Sequence, residues 1–131
     1  MAYDHPDKQK AYVKKNAEKI AAYQKKYQME NKETIMYDWR LAEVKRRYNL
    51  DADDYLKLIQ QQENKCAICF KQETVKNRSG DVRPLCVDHD HSTGAVRALL
   101  CNRCNSCLGY INDSVEILES AIQYLNRYKE A

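Results

Sequence analysis

Apolar side chains recur at helical spacing in three stretches, with two short extended runs between them. Leu41, Val44 and Tyr48 repeat at i, i+3 and i+7, one face of a helix over residues 37–48. Tyr55, Leu56 and Ile59 are the side chains expected to be buried by a helix over residues 52–63. Asp51 is its predicted N-cap, and Asp54 adds negative charge near the helix start. Val115, Leu118, Ile122 and Leu125, joined by Ile117 and Ala121, form the apolar stripe of a last helix, expected to pack back on the rest of the molecule. Asp113-Ser114-Val115-Glu116 resembles a capping box that opens it. Residues 71–84 read as a polar loop with a turn at Asn77-Arg78-Ser79-Gly80, and Pro84 biases residue 83 to extended geometry. Leu85-Cys86-Val87 reads as a short strand, Ser92-Thr93-Gly94 as a turn and Ala95–Leu100 as a second strand, so the region forms a hairpin. A short helix starts at Cys101 or Asn102 and is expected to end at Gly109, a residue that takes positive φ easily.

Residues 7–36 hold no Pro or Gly and read as helix, yet few aliphatic side chains accompany them. This helix lacks the stripe that would bury it firmly. Tyr12-x-Lys14-Lys15 recurs eleven residues later as Tyr23-x-Lys25-Lys26, about three helical turns on, so both copies share nearly one face, and Tyr27 extends it. Charge sharpens the picture. The whole chain of 131 residues carries only +3, but residues 1–50 hold 12 Lys or Arg against 7 Asp or Glu, and the remainder is slightly acidic. A basic surplus at one end suits an arm that contacts an anionic polymer, with Lys neutralising phosphates and Tyr packing on sugars or bases. A solvated surface helix and a coiled-coil or homodimer contact remain open for the same stretch. The organisation read from this is a basic helical extension over residues 1–50 and a second domain over residues 51–131.

Charged residues make up 31% of the chain and hydrophobic residues 44%, so the core is expected to be small and to need support. No apolar run approaches the length that spans a membrane, and the N-terminus lacks the apolar core of a signal peptide. Six cysteines in such a chain point to metal rather than to disulfides. Four of them form two Cys-x-x-Cys pairs, Cys66/Cys69 and Cys101/Cys104. Each pair turns two sulfurs toward one ion, and two pairs complete a tetrahedron around Zn²⁺ with bonds of about 2.3 Å. A closed four-thiolate site leaves no ligand position for chemistry, so this zinc is structural and reactive groups are sought elsewhere. Cys86 and Cys107 are expected to be small buried residues.

Between the cysteine pairs lies Asp88-His89-Asp90-His91, followed by Gly94-x-Val96-Arg97-x-Leu99-Leu100-Cys101-Asn102-x-Cys104-Asn105. This combination resembles the recombination endonuclease VII family of phages, which belongs to the HNH, or His-Me finger, nucleases. The resemblance spans about residues 50–125. It implies an α+β fold, a ββα-metal module stapled by the four-cysteine zinc site, with the helical extension before it and the last helix after it. It also implies a Mg²⁺-dependent endonuclease acting on DNA in the cytoplasm of a bacterial cell or phage-infected host. In that reading Asp88 and Asn105 hold catalytic Mg²⁺, for which Mn²⁺ can substitute, His89 is the general base toward water, and His91 supports the site. The chemistry is consistent, because a carboxylate and an amide oxygen are hard ligands suited to Mg²⁺. Side chains alternate along a strand, so Asp88 and His89 can serve one site only if the strand bends or ends there.

The residues alone leave blander roles open. Asp88 and Asp90 fit a turn, His89 fits a zinc ligand, Asn105 fits a helix start, and Arg97 fits either a phosphate contact or an ion pair. One departure is visible. The founding member of the family has a carboxylate three positions after the asparagine, where this chain has Leu108. This chain also ends at Ala131, before the long C-terminal region tied there to junction specificity, so cleavage of DNA is the expectation rather than junction resolution. The reading from a different class is a zinc-stapled DNA-binding module without catalysis.

Overall fold

The computed structural model describes residues 6–129. They fall into two compact units, divided between Ala42 and Glu43. The N-terminal unit holds α1 (Pro6–Lys15), α2 (Ala17–Glu30) and the first part of α3 (Lys32–Tyr48). The stretch expected as one helix over residues 7–36 is therefore interrupted, at Asn16 and Asn31. Both residues sit near φ −111° and −113°. Each side-chain amide donates to the carbonyl four residues back, Asn16 to Tyr12 and Asn31 to Tyr27, at 2.9 Å. Asparagine bonds of this local kind compete with regular helix, which accounts for the breaks. Backbone bonds still bridge both sites, Asn16 N–H to Tyr12 O at 3.0 Å and Asn31 N–H to Tyr27 O at 2.9 Å. No side chain of α1 or α2 is buried. Tyr23 and Tyr27 stack on each other along the exposed face, with ring centroids 6.4 Å apart.

The second unit contains the end of α3, then α4 (Ala52–Gln61), β1 (Cys86–His89), β2 (Val96–Leu100), α5 (Asn102–Tyr110) and α6 (Val115–Arg127). Its core is small: Val44, Tyr55, Cys66, Leu85, Val87, Leu99, Leu100 and Cys101. Val44 carries the α3 face read from the sequence and is fully buried. The chain reverses at Asn49, in the left-handed region at φ 52°. Lys45 Nζ braces that reversal, 3.0 Å from Asn49 Oδ1 and 2.8 Å from Asp51 Oδ1. Asp51 has the extended backbone of an N-cap, but with its carboxylate on Lys45 it makes no capping bond to α4. On α4, Tyr55 is buried and Ile59 half-buried, whereas Leu56, expected inside, is exposed.

Residues 71–84 are more ordered than a polar loop. Lys76 and Val82 form an antiparallel bridge across a turn in which Asn77 Oδ1 accepts from the Ser79 and Asp81 N–H groups. Gly80 closes that turn at φ 85°. The hairpin follows as expected, with β1 beginning one residue later than read and running to His89. The strands pair antiparallel as Cys86↔Leu100, Val87↔Leu99, Asp88↔Ala98 and His89↔Val96. Two pairings that skip Arg97 make it the extra residue of a bulge on β2, opposite Asp88 and His89. The register is thus irregular at Asp88 and His89, where a shared site would need a departure from strict alternation. Asp90 closes the hairpin end, its carboxylate accepting from the Ser92 and Thr93 N–H groups.

The C-terminal part differs from three expectations. Gly109 lies inside α5, and the reversal falls to Asn112 and Asp113, at φ 53° and 55°. The cap of α6 is Ser114, whose Oγ accepts from the Ile117 N–H at 3.2 Å and donates to Glu116 at 2.9 Å. Asp113 is left for another task. The stripe of α6 does not pack back: Val115 is 60% exposed, Ile122 58% and Leu125 60%.

Candidate functional site

The first Cys-x-x-Cys pair lies on a tight turn after α4. Cys66 N–H donates to Lys71 O, Phe70 N–H to Cys66 O, and Phe70 takes φ 59° to close the loop. The second pair opens α5, with Cys101 as N-cap and its Sγ accepting from the Cys104 N–H at 3.5 Å. Ala67 N–H donates to Leu99 O at 3.0 Å, tying the first turn to β2 next to the second pair. The four sulfurs of Cys66, Cys69, Cys101 and Cys104 lie within 4.8 Å of one another. Cys69 Sγ and Cys101 Sγ are 3.8 Å apart. A zinc tetrahedron with bonds of about 2.3 Å has edges of about 3.8 Å, so the cluster fits a structural metal such as zinc. Burial pushes the Cys66 thiol up, but the backbone groups of Cys69, Cys101 and Ile68 outweigh it and hold it down at about 7. Burial raises Cys101 and Cys104, the latter with help from the neighbouring sulfurs. One early thiolate among buried thiols gives a cation a starting ligand. Cys86 is half-buried, while Cys107 is exposed rather than buried.

Gln62 and Glu73 brace this cluster, and neither stood out in the sequence. Gln62 sits at the end of α4 and bonds the backbone of Leu99 with both ends of its amide. Glu73 accepts from the Thr74, Val75 and Asn102 N–H groups, the last at 2.6 Å, and so caps the start of α5 from the loop. Burial pushes its carboxyl up, but those donors and Arg103 bring it below its ordinary value.

Asp88, His89 and His91 gather at the bulged end of the hairpin. Asp88 is 7% exposed. Arg97 grips it with two parallel bonds, Nε to Oδ2 at 2.6 Å and Nη2 to Oδ1 at 2.9 Å. The same Nη2 lies 3.2 Å from Asp113 Oδ2. His91 Nδ1 approaches that oxygen at 3.4 Å. The half-buried His89 ring lies between Tyr48, 5.3 Å away by ring centroids, and His91, 4.8 Å away. Arg47 stands over the Tyr48 ring at 5.4 Å. Asn105 is half-buried on α5, which packs against both strands. Its side chain makes no hydrogen bond to Asp88, His89 or His91. Asp113 joins this group although its motif reads as a helix cap in the sequence. The tandem Asn112-Asp113, two residues that tolerate left-handed backbone, was the available sign that the chain turns there before the helix.

The pattern of the family described as recombination endonuclease VII matches residues 41–127. The chain belongs to that family. It is 40% identical over 81 residues to the Gene 59 protein of Mycobacterium phage D29, covering 61% of this chain and 46% of the relative. It is likewise 40% identical over 79 residues to the Gene 59 protein of Mycobacterium phage L5, covering 60% and 44%. The chain thus spans less than half the length of these curated relatives. No solved structure matches it. The family match includes both cysteine pairs, the hairpin and α5, and among the described residues no helix is long and apolar enough to cross a membrane.

Proposed function

We propose that the chain is a Mg²⁺-dependent endonuclease of the HNH, or His-Me finger, type, which hydrolyses DNA phosphodiester bonds in a phage-infected bacterial cell. The observation that carries this reading is the adjacency of Asp88 and His89 at the end of β1, opposite the Arg97 bulge of β2, on a hairpin that leads directly into α5 with Asn105, in a member of an endonuclease family. Strand, strand and helix follow one another here in the order of a ββα-metal module. The Cys66, Cys69, Cys101 and Cys104 tetrad ties the flanks with structural zinc.

In this mechanism Asp88 and Asn105 hold the Mg²⁺ ion. Their oxygens are hard donors of the right kind, and the Asn105 amide is not committed to the other site residues. When bound, the ion neutralises charge on the phosphoryl group and stabilises the leaving oxygen. His89 takes a proton from water as the water oxygen bonds to phosphorus. The ester P–O bond breaks on the opposite side, the leaving oxygen takes a proton from solvent water, and His89 returns its own to solvent. Tyr48 and His91 flank the His89 ring and fix its plane. The basic, tyrosine-bearing helices α1 and α2 contact the DNA backbone.

One observation favours the second reading, a zinc-stapled DNA-binding module. Both oxygens of Asp88 are taken by Arg97, as they would be in a purely structural ion pair. Supercoiled plasmid, linear duplex and a four-way junction offered to zinc-loaded protein with Mg²⁺ distinguish the two. Nicking or cutting of any of them supports the endonuclease. Tight binding without cleavage, with Mg²⁺ or Mn²⁺, supports the binding module.

A further inference from the structure

We propose that Asp113 is a second carboxylate ligand of the divalent-cation site and that Arg97 competes with the cation for both carboxylates. The inference rests on the reading of Asp88 as a ligand. Its first support is a single atom. Arg97 Nη2 lies 2.9 Å from Asp88 Oδ1 and 3.2 Å from Asp113 Oδ2, so one positive group already occupies the point where carboxylates from two separate elements converge. A divalent ion at that point needs each oxygen to move inward by about 1 Å to reach bonds of about 2.1 Å. The second support is Asp113 Oδ1. It is buried and has no hydrogen-bond partner. Arg97 faces the other oxygen of this carboxylate, Oδ2, so a cation satisfies Oδ1 when the carboxylate turns to hold it through both oxygens.

Charge and backbone agree with exchange. Two carboxylates face one guanidinium and the His91 ring, and a doubly charged ion in place of the guanidinium balances both carboxylates. Asp88 is too buried to stand without a cationic partner, and Arg97 fills that place until the ion arrives. Arg97 is also the bulged residue of β2, without a paired position opposite, so its side chain swings away without breaking a ladder pair. Once displaced it stands beside the ion as a bidentate donor to phosphate oxygens. Asp113 is anchored for its part by its own N–H, which donates to Leu108 O at 2.9 Å at the end of α5.

The test is Mn²⁺ binding to zinc-loaded protein, followed by electron paramagnetic resonance, with zinc content and thermal unfolding measured alongside. Asp113→Asn is expected to weaken Mn²⁺ binding about tenfold or more through loss of one ligand charge. Asp113→Gly is the companion variant, since glycine adopts the φ of 55° freely and removes the carboxylate without straining the turn. Arg97→Gln is expected to tighten Mn²⁺ binding by removing the competitor. Unchanged affinity in both Asp113 variants, with Asp88→Asn still weakening it, overturns the role of Asp113 and leaves Asp88 a ligand. Affinity unchanged in Asp88→Asn as well overturns the underlying reading. Weaker binding in Arg97→Gln makes the arginine a brace and removes the competition.

Discussion

Gln62 and Leu99 are joined amide to amide. Gln62 Nε2 donates to Leu99 O at 2.8 Å, and Gln62 Oε1 accepts from Leu99 N–H at 2.9 Å. A single side chain stands where a neighbouring strand would pair with the edge of β2. Because Nε2 also donates to Lys65 O at 2.8 Å, the end of α4, the first cysteine turn and the hairpin meet at this one group. Leu99 is fully buried, so its N–H has no water to turn to. Gln62→Ala is expected to destabilise the protein by about 1–3 kcal/mol, the cost of an unsatisfied buried donor. Leu99 O keeps its bond from Ala67 N–H, which places the loss mainly on the Leu99 N–H. Denaturant unfolding of zinc-loaded protein measures it, and an unchanged midpoint would show that the pair contributes nothing net.

Four convergent sulfurs in a unit with a small core make folding depend on metal. One Zn²⁺ per chain is expected by elemental analysis, and its removal by a chelator is expected to unfold the second unit. Cys66→Ser removes a ligand and should damage folding more than Cys86→Ser, which lies outside the tetrad. Equal damage would require a different ligand set.

Glu73 gives stability a pH dependence of known sign. Its carboxyl lies below the ordinary 4.5 in the folded protein. The contribution is therefore complete above the unfolded value and is lost as pH falls through the folded one. Wild type should exceed Glu73→Gln in stability near neutrality, and the gap should close in acid. Taking the difference between the two proteins cancels the loss of zinc that both suffer. A gap independent of pH would assign the effect of Glu73 to shape rather than to charge.

On the proposed mechanism, His89→Ala removes the acceptor of the water proton and leaves the zinc tetrad intact. Plasmid nicking should fall by about 10²–10⁴-fold, while zinc content and DNA affinity stay near wild type. Asp88→Ala and Asn105→Ala act through the metal, so raised Mn²⁺ should recover part of their loss and less of that in His89→Ala. Nicking at the wild-type rate in His89→Ala would remove this histidine from the chemistry.

Removing residues 1–35 should weaken DNA binding and flatten its salt dependence, because fewer counterions are released. The basic surplus over residues 1–50 motivates this, as does the absence of any buried side chain in α1 and α2. An unchanged salt slope would reduce these helices to a spacer or a contact between copies of the chain.

Sequence by itself determined the elements whose cause is local. The run without Pro or Gly is helical apart from its breaks at Asn16 and Asn31, Ser92-Thr93-Gly94 turns the hairpin, and each Cys-x-x-Cys pair turns its two sulfurs to one side, because turn geometry and short-range spacing suffice for each. The Leu41, Val44 and Tyr48 face was legible for the same reason. Only the tertiary structure decided which distant groups meet. Arg97 reads equally as a phosphate contact or an ion pair until the bulge sets it on Asp88. Asp113 reads as a helix cap until Ser114 takes that role and the reversal at Asn112 turns its carboxylate toward Arg97 and His91. The α6 stripe has the periodicity of a buried face, yet it is left exposed. Periodicity records that a face is apolar, and burial depends on whether another surface is brought against it.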